Sequence, residues 1–182
     1  VLSLPLDVQV APAPEPFSVV APSVTPPPAD GLDAAARLLA AARDPVVLAG
    51  DEVARSGAVA ALAAIAERLG APVYGETMAA TIPLPTDHAH WRGVLPGFAA
   101  EIHPRLAGHD VVLAVGMPVF RLFGDSPGAR EALPRGAALV HMDVDGQEVG
   151  RVHHPAVGLV GDVRAGLEGL VRRLGAAPPD VR

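Results

Sequence analysis

The stretch Asp110-Val111-Val112-Leu113-Ala114-Val115-Gly116 decides the fold of this chain. It closely repeats Asp44-Pro45-Val46-Val47-Leu48-Ala49-Gly50, and both runs are apolar, rich in β-branched residues and closed by glycine. Runs that are apolar at every position predict strands buried on both faces, as in a parallel sheet. The repeat suggests that each run begins one half of a Rossmann-like fold.

Further strands and helices alternate around these two runs. The pattern predicts strands at residues 72–74, 137–143 and 156–160, and helices at 54–69 and 98–107. Asp30 or Asp33 is expected to cap a first helix, and Asp162 to cap the last. Apolar strands that alternate with amphipathic helices predict an α/β domain, a Rossmann-like three-layer structure with a mainly parallel sheet flanked by helices.

Composition excludes several classes of protein. Of 182 residues, 50% are hydrophobic, which excludes disorder for most of the chain. The net charge of -6 gives no basic surface for nucleic acid, so no nucleic-acid partner is expected. No apolar run is long enough to span a membrane, so no membrane partner is expected either. The chain has no cysteine, which agrees with the expected cytoplasmic location.

The two ends of the chain differ from its middle. Residues 1–29 are rich in proline, which predicts an extended interdomain linker. Val1-Leu2-Ser3-Leu4-Pro5-Leu6-Asp7 reads as the tail of a strand, so the chain is expected to be an excised part of something larger. Residues 30–177 are predicted to form the domain, and residues 178–182 a tail.

The loop at residues 84–93 carries the most chemistry. It holds two of the seven histidines and the only tryptophan, within Leu84-Pro85-Thr86-Asp87-His88-Ala89-His90-Trp91-Arg92-Gly93. No cluster of carboxylates or thiols completes a metal site around His88 and His90, so no metal site is predicted. His88 is either a solvated loop histidine or a group that transfers protons. His141 lies within an apolar strand and is expected to be a hydrogen-bonded core residue.

Glycines at the strand ends raise the possibility of a nucleotide site. Gly50 and Gly116 follow two strands, at the edge where open α/β sheets bind ligands. However, no G-x-G-x-x-G sequence follows the first strand, and the chain has no Walker A sequence. We favour the interpretation that these glycines only form tight turns, so no cofactor-binding residue is assigned.

Several segments together resemble a known family. The chain is similar to the central domain of thiamine diphosphate-dependent enzymes, and most similar to that of benzoylformate decarboxylase-like members. The resemblance spans nearly the whole chain in order and spacing. It rests on Val1 to Asp7, Leu84-Pro85-Thr86-Asp87-His88, Trp91-Arg92-Gly93-Val94-Leu95-Pro96, Gly108-His109-Asp110, Gly116-Met117-Pro118-Val119-Phe120-Arg121, Asp143-Val144-Asp145 and Gly161-Asp162.

The resemblance implies a six-stranded parallel sheet within a larger 2-keto acid decarboxylase, a lyase that commonly forms homo-oligomers. Thiamine diphosphate and Mg2+ would be bound by missing N- and C-terminal domains, whose Gly-Asp-Gly motif this chain lacks. The fragment alone is expected to bind no cofactor and to be inactive. Some relatives bind FAD or ADP in this domain, which remains an alternative, but Phe120-Arg121 favours the group that binds none.

The resemblance also gives His88 a role. Benzoylformate decarboxylase has an active-site histidine in a matching Pro-x-x-His segment of its central domain. Carried over, His88 would reach the interdomain cleft and act as a general acid-base group. In the isolated chain we expect its loop to be exposed and mobile, with His88 lacking its intended partners from the other domains. A third interpretation is a purely structural domain that supports its neighbours.

Overall fold

The computed structural model describes residues 5–12, 24–120, 122 and 131–175. No helix within these residues is long and apolar enough to cross a membrane. The described elements are, in order, α1 (Leu6–Val10), α2 (Ala29–Ala40), β1 (Pro45–Ala49), α3 (Asp51–Arg55), α4 (Val59–Leu69), β2 (Val73–Gly75), β3 (Trp91–Val94), α5 (Ala99–Leu106), β4 (Val111–Val115), β5 (Ala138–Asp143), β6 (Val157–Val160) and α6 (Val163–Leu174).

The six strands form one parallel sheet in the order β3-β2-β1-β4-β5-β6. The two repeated runs are β1 and β4, which pair at the centre of the sheet with Pro45 opposite Val111 and Ala49 opposite Val115. Each run is followed by two strands that extend the sheet outward on its own side. This is the strand order of a doubly wound fold, so the predicted Rossmann-like α/β structure is confirmed.

Two apolar clusters cover the two faces of the sheet. The larger one joins β1, β2, β4, β5 and β6 to helices α2, α4 and α6, while the smaller one joins β1, β4 and β5 to α5. Val47 and Leu113 face the larger cluster, whereas Val46, Leu48 and Val112 face the smaller one. Every residue of β1 and β4 is buried, which explains why both runs are apolar without alternation.

The N-terminal segment departs from the extended linker that proline content predicts. Leu6–Val10 forms a short helix directly after Pro5, so the strand tail expected over Val1 to Asp7 does not include Leu6 and Asp7. No proline interrupts those five residues, and proline is well tolerated where a helix starts. Val1 to Leu4 and residues 13–23 lie outside the described residues. Within residues 24–28, the Thr25 carbonyl accepts a hydrogen bond from the Asp162 backbone N–H at 2.8 Å, and Pro27 is buried.

The predicted caps and helix bounds are only partly right. Neither Asp30 nor Asp33 caps α2, because the helix already begins at Ala29 after Pro28. The single helix expected over residues 54–69 is two, α3 and α4, separated by a turn in which Gly57 has a positive φ. Asp162 does cap α6, since its Oδ1 accepts a hydrogen bond from the Ala165 N–H at 2.6 Å.

Candidate functional site

Acidic side chains surround the carboxyl edge of the sheet, where ligands bind in most folds of this type. A cavity of about 310 Å³ opens at this edge. Arg55 is the one basic residue among the described residues that line it. The carboxylates that line the cavity lie at the ends of β1, β2 and β5 or in the segments that follow these strands: Asp51, Glu52, Glu76, Asp143, Asp145 and Glu148. We call this site the acidic cavity.

The strand-end glycines bring backbone against backbone at the acidic cavity. A Cβ at Gly50 would collide with the Gly116 carbonyl and would lie 2.8 Å from Glu76 Oε2. A Cβ at Gly116, where φ is +62°, would lie 2.7 Å from the Cβ of Glu52. The space that a phosphate would need next to these glycines is therefore already filled. Their role in tight turns agrees with the interpretation drawn from the sequence.

Electrostatics at the acidic cavity oppose a second negative group. Burial, followed by the charges of Asp143, Asp162 and Asp51, raises the pKa of Glu52, although Arg55 partly offsets this effect. Burial likewise raises the pKa of Asp143. A diphosphate would add charge to carboxylates that are already crowded. No group of three or more His, Cys, Asp or Glu side chains among the described residues could hold a metal ion. The site therefore fits neither a nucleotide nor a diphosphate with Mg2+.

The long connection between β2 and β3 carries the chain from the carboxyl edge to the amino edge. Asp51 anchors its first part, accepting hydrogen bonds from the Thr81 N–H at 2.8 Å, the Thr81 hydroxyl at 2.8 Å and the Ala80 N–H at 3.1 Å. Leu84 then enters the larger apolar cluster and is only 1% exposed. These contacts fix where the histidines that follow must lie.

His88 lies at the amino edge, just before β3. Its Nε2 is 3.3 Å from Oε1 of Glu67 in the last turn of α4, and its Nδ1 accepts a hydrogen bond from the His90 backbone N–H at 3.2 Å. The turn is closed by backbone hydrogen bonds from His88 N–H to Pro85 O and from Trp91 N–H to His88 O. The side chain is only 18% exposed. Within a loop that is mostly exposed, the His88 ring itself is therefore largely buried and contacts Glu67 of the same domain.

The histidine site and the acidic cavity lie at opposite edges of the sheet. The His90 carbonyl accepts a hydrogen bond from the N–H of Val73, the first residue of β2, whereas Glu76 follows the last residue of that strand. The His90 ring lies 5.7 Å from that of His88, and no carboxylate cluster joins them into a metal site among the described residues. This domain alone does not bring His88 to the edge where its fold class usually binds ligands.

His141, a further cavity and Arg121 lie outside these two sites or outside the described residues. His141 is buried and hydrogen-bonded as predicted: its Nε2 donates to the Met117 carbonyl at 3.1 Å, and its Nδ1 accepts from the Gly150 N–H at 3.4 Å. A larger cavity of about 660 Å³ lies beside the end of α5, next to His103 and Leu133, away from both sites. Arg121, which favoured the group without a nucleotide, lies outside the described residues.

Sequence reasoning missed Glu67, the partner of His88. Glu67 lies 21 residues before His88 in a helix whose other signals are apolar spacing and the C-terminal Gly70. Nothing in the local sequence distinguishes Glu67 from any other charged residue on the surface of a helix. Only the packing of α4 beside β2 and β3 places this carboxylate next to the imidazole.

These observations define a doubly wound α/β domain without a nucleotide fingerprint and with a histidine at its amino edge. A family model described as "Thiamine pyrophosphate enzyme, central domain" matches residues 32–170. The chain therefore belongs to the thiamine pyrophosphate (thiamine diphosphate) enzyme family, as a central domain. The resemblance that its sequence motifs suggested is confirmed.

Individual relatives match most of the chain. The chain is 39% identical over 136 residues to a benzoylformate decarboxylase of Pseudomonas aeruginosa, covering 75% of this chain and 25% of that protein. It is 37% identical over 148 residues to a sulfoacetaldehyde acetyltransferase of Castellaniella defragrans, covering 80% and 24%. The crystal structure of benzoylformate decarboxylase from Polynucleobacter necessarius superposes with a TM-score of 0.79 at 26% identity, covering 97% of this chain and 32% of that one. The chain thus spans about a quarter of the length of the curated relatives it matches.

Proposed function

We propose that this chain is the central domain of a thiamine diphosphate-dependent 2-keto acid decarboxylase, and that His88 is the acid-base group it contributes to the active site. The observation that carries the proposal is the placement of His88. A half-buried imidazole is held by a closed turn at one edge of a domain that is a family member. The similarity to a benzoylformate decarboxylase supports 2-keto acids as the class of substrate.

We further propose that thiamine diphosphate and Mg2+ are bound by N- and C-terminal domains of a longer protein. The acidic cavity of this chain does not fit a diphosphate, and the described residues offer no metal site. The same crowding of carboxylates argues against the alternative of FAD or ADP in this domain. Carbon–carbon cleavage is the chemistry of the cofactor, so this domain would supply shape and proton transfer.

The imidazole of His88 suits proton transfer in three respects. Histidine changes its protonation state close to neutral pH. The turn from Pro85 to Trp91 fixes the ring, so that little freedom remains to be lost when substrate binds. The ring is only partly exposed, and a domain that packs on the amino edge would shield it further from water. In the assembled enzyme, His88 would accept or release one proton at the reacting group.

The test of this proposal is His88→Gln in the longer protein, with His90→Gln as the matched control from the same loop. General acid-base catalysis contributes about 10²–10⁴-fold to the rate. We therefore expect His88→Gln to lower kcat for CO2 release from benzoylformate by about 10²-fold or more, while His90→Gln stays within a few-fold. Equal activity of the two variants would favour a purely structural domain.

The competing activity is acyl transfer, which similarity to a sulfoacetaldehyde acetyltransferase favours. The two activities differ in what they release. Incubating the longer protein with benzoylformate or pyruvate, and separately with sulfoacetaldehyde and phosphate, distinguishes CO2 release from acetyl phosphate formation. We expect CO2 release from a 2-keto acid. The purified 182-residue chain should show neither activity, and turnover by the chain alone would contradict the proposed division of labour.

A further inference from the structure

The environment of the His88 ring selects one tautomer. The His90 backbone N–H points at Nδ1 at 3.2 Å, and an N–H donor requires a lone pair on that nitrogen. The Glu67 carboxylate lies 3.3 Å from Nε2, and a carboxylate requires a proton there. Both contacts therefore demand the same arrangement, with the proton on Nε2 and the lone pair on Nδ1.

The two contacts respond differently when the ring takes up a second proton. The proton must go to Nδ1, because Nε2 already carries one, and the His90 N–H then loses its acceptor. At the same time the Nε2–H···Glu67 contact becomes an ion pair between an imidazolium and a carboxylate. Among the described residues, the titratable groups in contact with the ring are Glu67 from α4 and His90 from the same turn.

We propose that Glu67 is the positioning residue of His88: its carboxylate accepts a hydrogen bond from Nε2–H and, together with the His90 N–H on Nδ1, fixes the tautomer and the orientation of the ring. This inference rests on the proposed function of His88.

Glu67 is well placed to hold the ring without burying a charge. Its side chain is 60% exposed, so water still solvates the carboxylate, while His88 is 18% exposed. An exposed pair of this kind is weak and easily rearranged. The expected effects of removing it are accordingly modest, and they concern protonation rather than folding.

The first test is NMR of the ring nitrogens in the 182-residue chain, which reports the tautomer of His88. The unchanged chain should show the Nε2–H tautomer, and Glu67→Gln should raise the share of the Nδ1–H tautomer, because a neutral amide is a weaker acceptor than a carboxylate. Glu168→Gln is the matched control, since Glu168 also lies on a helix surface and pairs with Arg164 instead. A tautomer ratio in Glu67→Gln equal to that in Glu168→Gln would overturn the proposal.

The second test is kinetic and uses the longer protein. Glu67→Gln should lower kcat about threefold with little change in KM, and should have no further effect when His88→Gln is already present. If His88→Gln abolishes activity while Glu67→Gln changes neither the tautomer ratio nor kcat, the positioning role fails and the proposed function stands. If His88→Gln leaves activity intact, the proposed function fails and the positioning role fails with it, whatever the NMR spectra show.

Discussion

The two edges of this sheet are built in opposite ways. At the carboxyl edge, Gly50 and Gly116 bring the strand ends into close backbone contact, and six carboxylates line the acidic cavity around them. At the amino edge, a closed turn presents His88 beside the single carboxylate of Glu67. The five-residue central strands separate these edges by about 15 Å. One edge carries a cavity lined by carboxylates, and the other carries an imidazole, a group suited to proton transfer.

The difference shows that fold class alone would point to the carboxyl edge, whereas the proposed acid-base group lies at the amino edge. Open α/β sheets bind ligands beyond the carboxyl ends of their strands. In this chain carboxylates line the cavity at that edge, and the strand-end glycines are closely packed. Under the proposed function, the acid-base group comes from a loop on the scaffold rather than from the strand ends. Three variants test how firmly the two edges differ, from the largest expected effect to the smallest.

The largest effect is expected from Gly116→Ala, which tests whether the carboxyl edge is filled. The new Cβ would lie 2.7 Å from the Cβ of Glu52 and 3.2 Å from the Val53 backbone nitrogen, at a φ of +62°. Overpacking and a left-handed backbone together should cost about 3 kcal/mol of unfolding free energy. Urea unfolding, monitored by circular dichroism, measures this loss of stability. Gly57→Ala is the control, because φ is +71° there but the nearest atom is 3.8 Å away. Equal losses of unfolding free energy in the two variants would mean that the space next to Gly116 is open.

How far the sequence predicts this structure depends on the element. Apolar runs such as Val111–Val115 are recognisable because burial on both faces removes polar residues from every position. Trp91–Val94 gave no such signal. It is an edge strand with alternating exposure, it contains glycine at a φ of +92°, and it follows a loop of charged and aromatic residues. The sixth strand was expected only from the family resemblance.

The site was predictable only in part, for a related reason. His88 stands out because it interrupts a plain sequence, so its candidacy could be read from composition. Its partner could not, since Glu67 comes from another element and meets it only through packing. Likewise, the carboxylates of Glu52 and Asp143 are 91 residues apart and are brought together by strand order. Local patterns do not encode contacts of this range.

His141 gives the intermediate effect, since it ties together two loops that follow strands at the carboxyl edge. His141→Leu leaves the buried Met117 carbonyl and the Gly150 N–H without their partner, which should cost about 2 kcal/mol at pH 7. Burial lowers the pKa of His141 below its ordinary value of 6.5, although contact with Met117 and the charges of Asp143 and Glu148 oppose this shift. The folded chain therefore resists protonation that the unfolded chain accepts.

The sign of the pH dependence follows from that shift. As pH falls below about 6.5, the unfolded chain takes up a proton at this site first, so the unchanged protein loses up to about 1.4 kcal/mol of stability per pH unit. His141→Leu lacks this loss, so the difference in unfolding free energy between the two proteins should shrink between pH 7 and pH 5. Urea titrations at both pH values measure it. A difference that is constant with pH would show that His141 is not held uncharged. The control is His154→Leu at an exposed position, which should leave the unfolding free energy almost unchanged at both pH values.

The smallest effect is expected from Glu52→Gln, which tests the crowding of charge in the acidic cavity. Because burial and the charges of Asp143, Asp162 and Asp51 raise the pKa of Glu52, its ionised form destabilises the folded chain at neutral pH. Gln keeps the shape and removes the charge, so the variant should be more stable at pH 7 by about 0.5 kcal/mol after allowance for solvent screening. As pH falls through the raised pKa, Glu52 becomes neutral in the folded chain and the stability advantage of Glu52→Gln should disappear.

The control is Glu168→Gln, which removes the partner of Arg164 and should give no such gain in stability. If Glu52→Gln destabilised the protein at pH 7, the acidic cavity would have to hold a compensating cation, and the contrast between the two edges would fail.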